Sequence, residues 1–137
     1  MKKIVLTVFM ILVAVFVFGG CGEGSGDDTV VISERFFVHE MQEVVFNHQQ
    51  YLGRTIQFEG MFRIIPMGGI DRFLVMRYMV GCCGEEPVGL EVVMENIPAF
   101  DYNAWVEVTG ILEMNNGFLV LQLTNIVELD ERGLEVV

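Results

Sequence analysis

The sequence predicts a mainly β domain, a five-stranded barrel with one helix in front of it, and two observations carry that prediction. Beyond Gly53 the apolar residues change from a helical period to a period of two, the signature of half-buried antiparallel strands. Five such segments follow, punctuated by Pro-Met-Gly-Gly at 66–69, Asn-Ile-Pro at 96–98 and Asn-Asn-Gly at 115–117. A chain of 137 residues has room for one compact domain and a short extra segment.

The extra segment comes first. Lys2 and Lys3 precede residues 4–18, apolar except for Thr7, and Gly19, Gly20 and Cys21 follow. Basic, apolar and small residues in that order make a secretory signal. The run from Val17 to Cys21 resembles the lipobox of bacterial lipoproteins, with Phe18 in the place of the usual leucine. That resemblance implies that Cys21 carries the lipid, palmitate included, and becomes the new N-terminus. The competing reading is an uncleaved anchor, for which residues 4–20 sit at the short edge of a membrane span. Residues 1–20 are therefore assigned to a lipoprotein signal peptide and residues 21–31 to the lipidated cysteine and a flexible acidic tether. Residues 32–129 form the barrel domain, and residues 130–137 a charged tail expected to fray.

Within the domain, residues 29–32 read as an extended lead-in. Phe37, Met41, Val44, Val45 and His48 fall on one face of a helix that Ser33 or Glu34 starts and Gly53 stops. The first barrel strand alternates Ile56, Phe58, Gly60, Phe62 and Ile64 with Gln57, Glu59, Met61 and Arg63. The second, residues 72–80, is apolar on both faces, so it is covered on both sides or lines a groove. The third alternates Val88, Leu90 and Val92 with Gly89, Glu91 and Val93, and residues 99–103 follow as a short helix or loop. The fourth places Val106, Val108, Gly110 and Leu112 opposite Glu107, Thr109, Ile111 and Glu113. Asn115-Asn116-Gly117 makes a hairpin turn into the fifth, residues 118–129. Gly60 and Gly110, each in mid-strand, mark sharp coiling or a close backbone neighbour. Five strands with a helix-sized break between third and fourth give an OB-like Greek-key barrel. An SH3-like barrel or an open α+β sheet is the alternative.

Charge removes several function classes. The chain carries 19 acidic and 8 basic side chains, a net charge of −11, and loss of the signal takes both lysines with it. Such a chain repels a phosphate backbone, which excludes sequence-independent binding of nucleic acid. An anionic membrane surface attracts it no better. No nucleophile elbow, phosphate loop or triad spacing occurs. Ser25 and Ser33 are the only serines, and Glu91, Glu107 and Glu113 fall on outward strand faces. No catalytic residue is assigned, and the domain reads as non-enzymatic. A core of this size needs neither disulfide nor structural metal to fold.

With Cys21 taken by lipid, Cys82 and Cys83 remain, adjacent and in an oxidising compartment. Thiolates select zinc or copper(I), and Glu85, Glu86, His39 or His48 would complete a coordination shell; a thiol-redox role is the companion reading. Metal motifs usually space their cysteines by two residues, so the competing expectation is one thiol buried as a small hydrophobe and the other in a loop. A disulfide between neighbours is strained, their Cα atoms lying about 3.8 Å apart. His39 lacks the second histidine four positions on that a zinc-hydrolase helix needs. Met61, Met67, Met76, Met79 and Met94 are either adaptable surface or core filling. Met76 and Tyr78, on one face of the second strand, are the expected exposed patch, and with Arg77 they form the candidate binding face.

Two stretches carry a family resemblance. Phe37, Asn47, Tyr51, Gly53, Arg54, Ile56 and Gly60 form one, and the run Arg-Tyr-Met-Val-Gly-Cys-Cys-Gly-Glu-Glu-Pro-Val-Gly at 77–89 the other. They resemble the C-terminal domain of a bacterial family of permease subunits of unknown function, in which an arginine-aromatic strand runs into Cys-Cys-x-x-Asp and then Pro. The resemblance covers most of residues 32–129. It implies an OB-like fold and a membrane transport protein as partner. This chain departs from the pattern in a shorter segment between Cys83 and Pro87 and in Glu86 where an aspartate would stand. Where that family has a membrane-spanning N-terminal half, a lipid anchor is expected here. The expected location is thus extracytoplasmic, on the cell membrane.

Overall fold

The computed structural model describes residues 28–137, so the expected signal peptide and Cys21 lie outside the described residues. The elements are β1 (Val30–Val31), α1 (Phe37–Phe46), β2 (Thr55–Met67), β3 (Ile70–Gly81), β4 (Gly84–Val93), β5 (Trp105–Asn115) and β6 (Phe118–Glu128). Two 3-10 turns, Glu34–Phe36 and His48–Gln50, flank the helix. No helix among the described residues is long and apolar enough to cross a membrane.

The alternating strands close into a barrel in the order β2-β3-β4-β6-β5, with β5 returning to β2. The β4–β6 pairing is parallel and the other barrel pairings are antiparallel. This is the five-stranded OB-like Greek key. Closure depends on β2 serving two partners: Thr55 to Met61 pair with β5, and Met61 to Met67 pair with β3. Gly60 stands at the switch, where an added Cβ would lie 2.9 Å from the Met76 carbonyl oxygen.

The interior is filled by Ile56, Phe58, Phe62, Val75, Leu90, Val92, Val106, Val108, Leu112, Leu121 and Leu123. Phe37, Met41 and Val44 from α1 belong to the same core, so the helix plugs the barrel. Burying a side chain of this kind contributes roughly 1.5–3 kcal/mol relative to leaving it in water. The plug therefore comes from in front of β2, and residues 99–103 form an irregular loop with Asn103 at φ 69°. Ser33 fixes the approach to the helix: its N–H and hydroxyl both donate to Glu40 Oε2, at 2.7 and 3.0 Å.

Three boundaries differ from expectation. The helix ends at Phe46, because the 3-10 turn at His48 takes over before Gly53 is reached. β4 starts at Gly84, ahead of Val88, with Gly81, Val80, Met79 and Tyr78 of β3 facing Gly84, Glu85, Glu86 and Pro87. The tail does not fray. Beyond Met76 the β2-side edge of β3 has lost its neighbour, because β2 has turned toward β5. The tail fills that edge: the Tyr78 N–H donates to the Glu135 carbonyl and the Val137 N–H to the Tyr78 carbonyl, both at 2.8 Å. β1 covers the matching edge of β2, pairing Val30 with Ile56 and Val31 with Gln57.

At Gly89 of β4 a Cβ would overlap the Val75 carbonyl and lie 2.6 Å from Met76 Cα, backbone that cannot yield without opening the β3–β4 ladder. Gly89→Ala should therefore cost about 1–3 kcal/mol of stability, the range for overpacking. Thermal unfolding followed by circular dichroism checks it, with an unchanged midpoint as the contrary result.

Candidate functional site

β3 and β4 run on as a paired hairpin to Gly81 and Gly84, and Cys82 and Cys83 are the two residues of its turn. Gly84 makes the turn possible by taking φ 132°, which side chains rarely adopt. Both thiols are exposed and free, and their sulfurs lie 3.4 Å apart. The division into one buried and one loop thiol does not hold, because neither residue sits on a strand whose faces alternate. Glu85 and Glu86 stand on β4, on opposite faces of the hairpin. The Glu86 side chain folds back over Gly81, occupying the space a Cβ would need there.

Among the described residues no three His, Cys, Asp or Glu side chains come together as a metal cluster. His39 is exposed on α1 next to Glu40. The ring of His48 turns inward on its own helix end, Nδ1 lying 3.1 Å from the Val45 carbonyl oxygen. The cysteines are thus brought to each other, while the histidines are held elsewhere.

Beside the hairpin runs an apolar groove of about 160 Å³, walled by Met41, Gln42, Val45 and Phe46 of α1 and by Pro87, Val88 and Gly89 of β4. Phe46 is 76% exposed, and Val80 on the hairpin is 77% exposed. Sequence reasoning passed over Phe46, although a large aromatic off the buried helical face was a legible signal. On another face, Ile65, Met67, Arg72, Leu74, Glu91, Phe118 and Leu119 line a cleft of about 240 Å³. There Arg72 holds Glu91 through two hydrogen bonds and lies 4.8 Å from the Phe118 ring centroid. Glu91 is therefore paired, where the sequence offered only solvation.

The candidate face of Met76, Arg77 and Tyr78 is a correction. Met76 is 5% exposed and Arg77 only 1%. Tyr78 is half-buried, accepts a hydrogen bond from Arg63 Nη2 at 3.2 Å, and carries the tail on its backbone. In its middle, from Val75 to Arg77, β3 is covered on both faces, while Ile70 and Val80 near its ends are exposed. Arg77 Nε donates to the Glu59 carbonyl at 2.9 Å, and Nη1 donates to Glu34 Oε1 at 3.2 Å and to the Leu134 carbonyl at 3.3 Å. Its Cζ lies 4.8 Å from the ring centroids of both Phe37 and Trp105. Burial pushes the guanidinium below its ordinary pKa, with Glu34 and then Glu59 opposing. Glu34 in turn is held below the ordinary 4.5, chiefly by the Leu134 N–H and then, against a desolvation penalty, by Arg77. With Nε and Nη1 hydrogen-bonded, Nη2 3.9 Å from the Glu59 carboxylate and rings against the guanidinium, the buried Arg77 clamps the fold.

A closed OB-like barrel, plugged from its N-terminal side and projecting a cysteine hairpin, is the class of protein that these features define. The chain belongs to the DUF1980 C-terminal domain family, whose model matches residues 21–132. No curated protein matches it.

The Glu34 carboxylate gives the clamp a pH dependence of definite sign. Its depressed pKa means that its contribution is present above pH 4.5 and is lost as pH falls through the lower folded-state value. Trp105 is the only tryptophan and touches the clamp. Its emission should shift with a midpoint below pH 4.5, and Glu34→Gln should show the shifted emission already at neutral pH. An acid transition of unchanged size in the variant would exclude Glu34 as its source.

Proposed function

We propose that this chain is a lipid-anchored, extracytoplasmic accessory domain, non-enzymatic, that presents its cysteine hairpin and the adjoining α1–β4 groove to a membrane transport protein. The observation that carries the reading is the exposed Cys82–Cys83 turn beside an apolar groove with Phe46 uncovered. Tether length supports it. Residues 21–28 span at most about 28 Å when extended. Cys82 lies five positions, about 17 Å of strand, beyond Arg77, which bonds Glu34 near the point where the tether enters. A hairpin placed so close to the anchor can reach a protein embedded in the same membrane. The acidic surface turns away nucleic acid and anionic lipid, which leaves a protein surface as the partner.

A second reading, metal binding or thiol chemistry at the same hairpin, is favoured by the exposure of both sulfurs. Buried thiols would have argued for packing alone.

The anchoring reading has a direct test. Cells expressing the native chain should incorporate radiolabelled palmitate at Cys21, and a photo-crosslinker at Val80 should capture an integral membrane protein. Cys21→Ala should lose both. Labelling that survives in the variant, or capture confined to soluble proteins, would contradict the reading.

A further inference from the structure

We propose that Cys82 and Cys83 form a two-sulfur site for a soft monovalent cation, copper(I), held with open coordination positions. The inference rests on the thiol reading of the hairpin and is independent of the anchoring one.

The first support is the persistence of the thiols. Adjacent Cα atoms lie about 3.8 Å apart, below the roughly 4.4 Å at which ordinary disulfides begin. Closing the pair strains the ring and makes the product easily reduced. Wherever the chain meets an oxidant, an adjacent pair is thus harder to close than better-spaced cysteines and stays available as thiols.

Geometry and donor count then select the ion. The sulfurs are 3.4 Å apart on a two-residue turn fixed by the Gly81–Gly84 pair, so one ion can touch both. The described residues add no third His, Cys, Asp or Glu to make a cluster. Glu86 is folded over Gly81, and Glu85 stands on the opposite face of the hairpin. Zinc takes four ligands in structural sites, and three plus water in catalytic ones. Calcium and magnesium want oxygen cages. Copper(I) is, of the ions that thiolates select, the one that a low coordination number satisfies. The surrounding acidic domain raises the local concentration of any cation. Exposure gives the site its use: an ion with open positions passes to a partner's sulfur by ligand exchange, which a buried site would prevent.

The test titrates the reduced native chain in detergent with copper(I), under anaerobic conditions, in competition with the chromophoric chelator bicinchoninate. One copper(I) per chain should be withdrawn from the chelator. Cys82→Ser and Cys83→Ser should each weaken binding by more than the roughly 10–100-fold that loss of an outer-shell partner costs, because each removes a ligand itself. The paired change Glu85→Gln with Glu86→Gln should keep the stoichiometry, and X-ray absorption should find sulfur scatterers alone. Circular dichroism confirms that the serine variants, altered at an exposed turn, remain folded. Cys21→Ala should bind copper(I) as the native chain does, which separates this site from the anchoring reading. Tighter binding of zinc than of copper(I), or undiminished copper(I) binding by either serine variant, would overturn the proposal. Isolation of the pair as a disulfide would also overturn it while leaving thiol chemistry at the hairpin.

Discussion

The guanidinium of Arg77 is where segments from both ends of the chain meet the barrel. It takes a backbone carbonyl from β2, a carboxylate from the turn before α1 and a carbonyl from the tail, and it lies against rings from α1 and β5. A buried guanidinium without partners would cost several kcal/mol, so these contacts are required by one another. Two of the three acceptors are neutral carbonyls, and the Glu34 side chain is 47% exposed. The pair with Glu34 is consequently half in water, and the carbonyls and rings do most of the satisfying. Each ring adds about 0.5–2 kcal/mol.

The clamp sits at the place where the barrel would otherwise come apart. β2 leaves β3 for β5 around Gly60 and Met61, and each strand is left with an open edge. β1 closes one and the tail closes the other, and Arg77 and Glu34 bind the tail at Leu134 immediately before it pairs with Tyr78. The β3–β4 arms continue past this point as a ladder of four pairs to the cysteine turn. The same interaction that seals the seam therefore fixes the base from which Cys82 and Cys83 project. The proposed site at the hairpin and the clamp share one strand.

Much of the barrel was legible because a half-buried strand writes its pattern in every second residue. Ile56, Phe58 and Phe62 announce β2, and Val106, Val108 and Leu112 announce β5. The start of β4 was not legible, since Glu85, Glu86 and Pro87 project beyond the core and have no apolar face to alternate. Nor was the docked tail, which is held by backbone hydrogen bonds that leave no mark on side-chain type. Arg77 was misplaced for a different reason. The pattern left β3 either covered on both sides or lining a groove, and the binding face followed the second; its middle is covered instead, so the cation there is buried and partnered. The cysteine turn carried its own signal in the glycines at 81 and 84, which bracket a two-residue loop and put both thiols outside the alternation of a strand.

The claim that Arg77 couples the two chain ends to the barrel is tested most directly by amide hydrogen exchange on Arg77→Lys, which keeps a positive charge and loses the planar fork. The amides of Leu134, Tyr78 and Val137 should lose protection together with that of Ile32, which donates to Gln57 beside β1. That of Leu112 on β5, which donates to the Arg54 carbonyl, should change far less. Loss confined to Leu134, or an equal loss at every amide, would contradict the account.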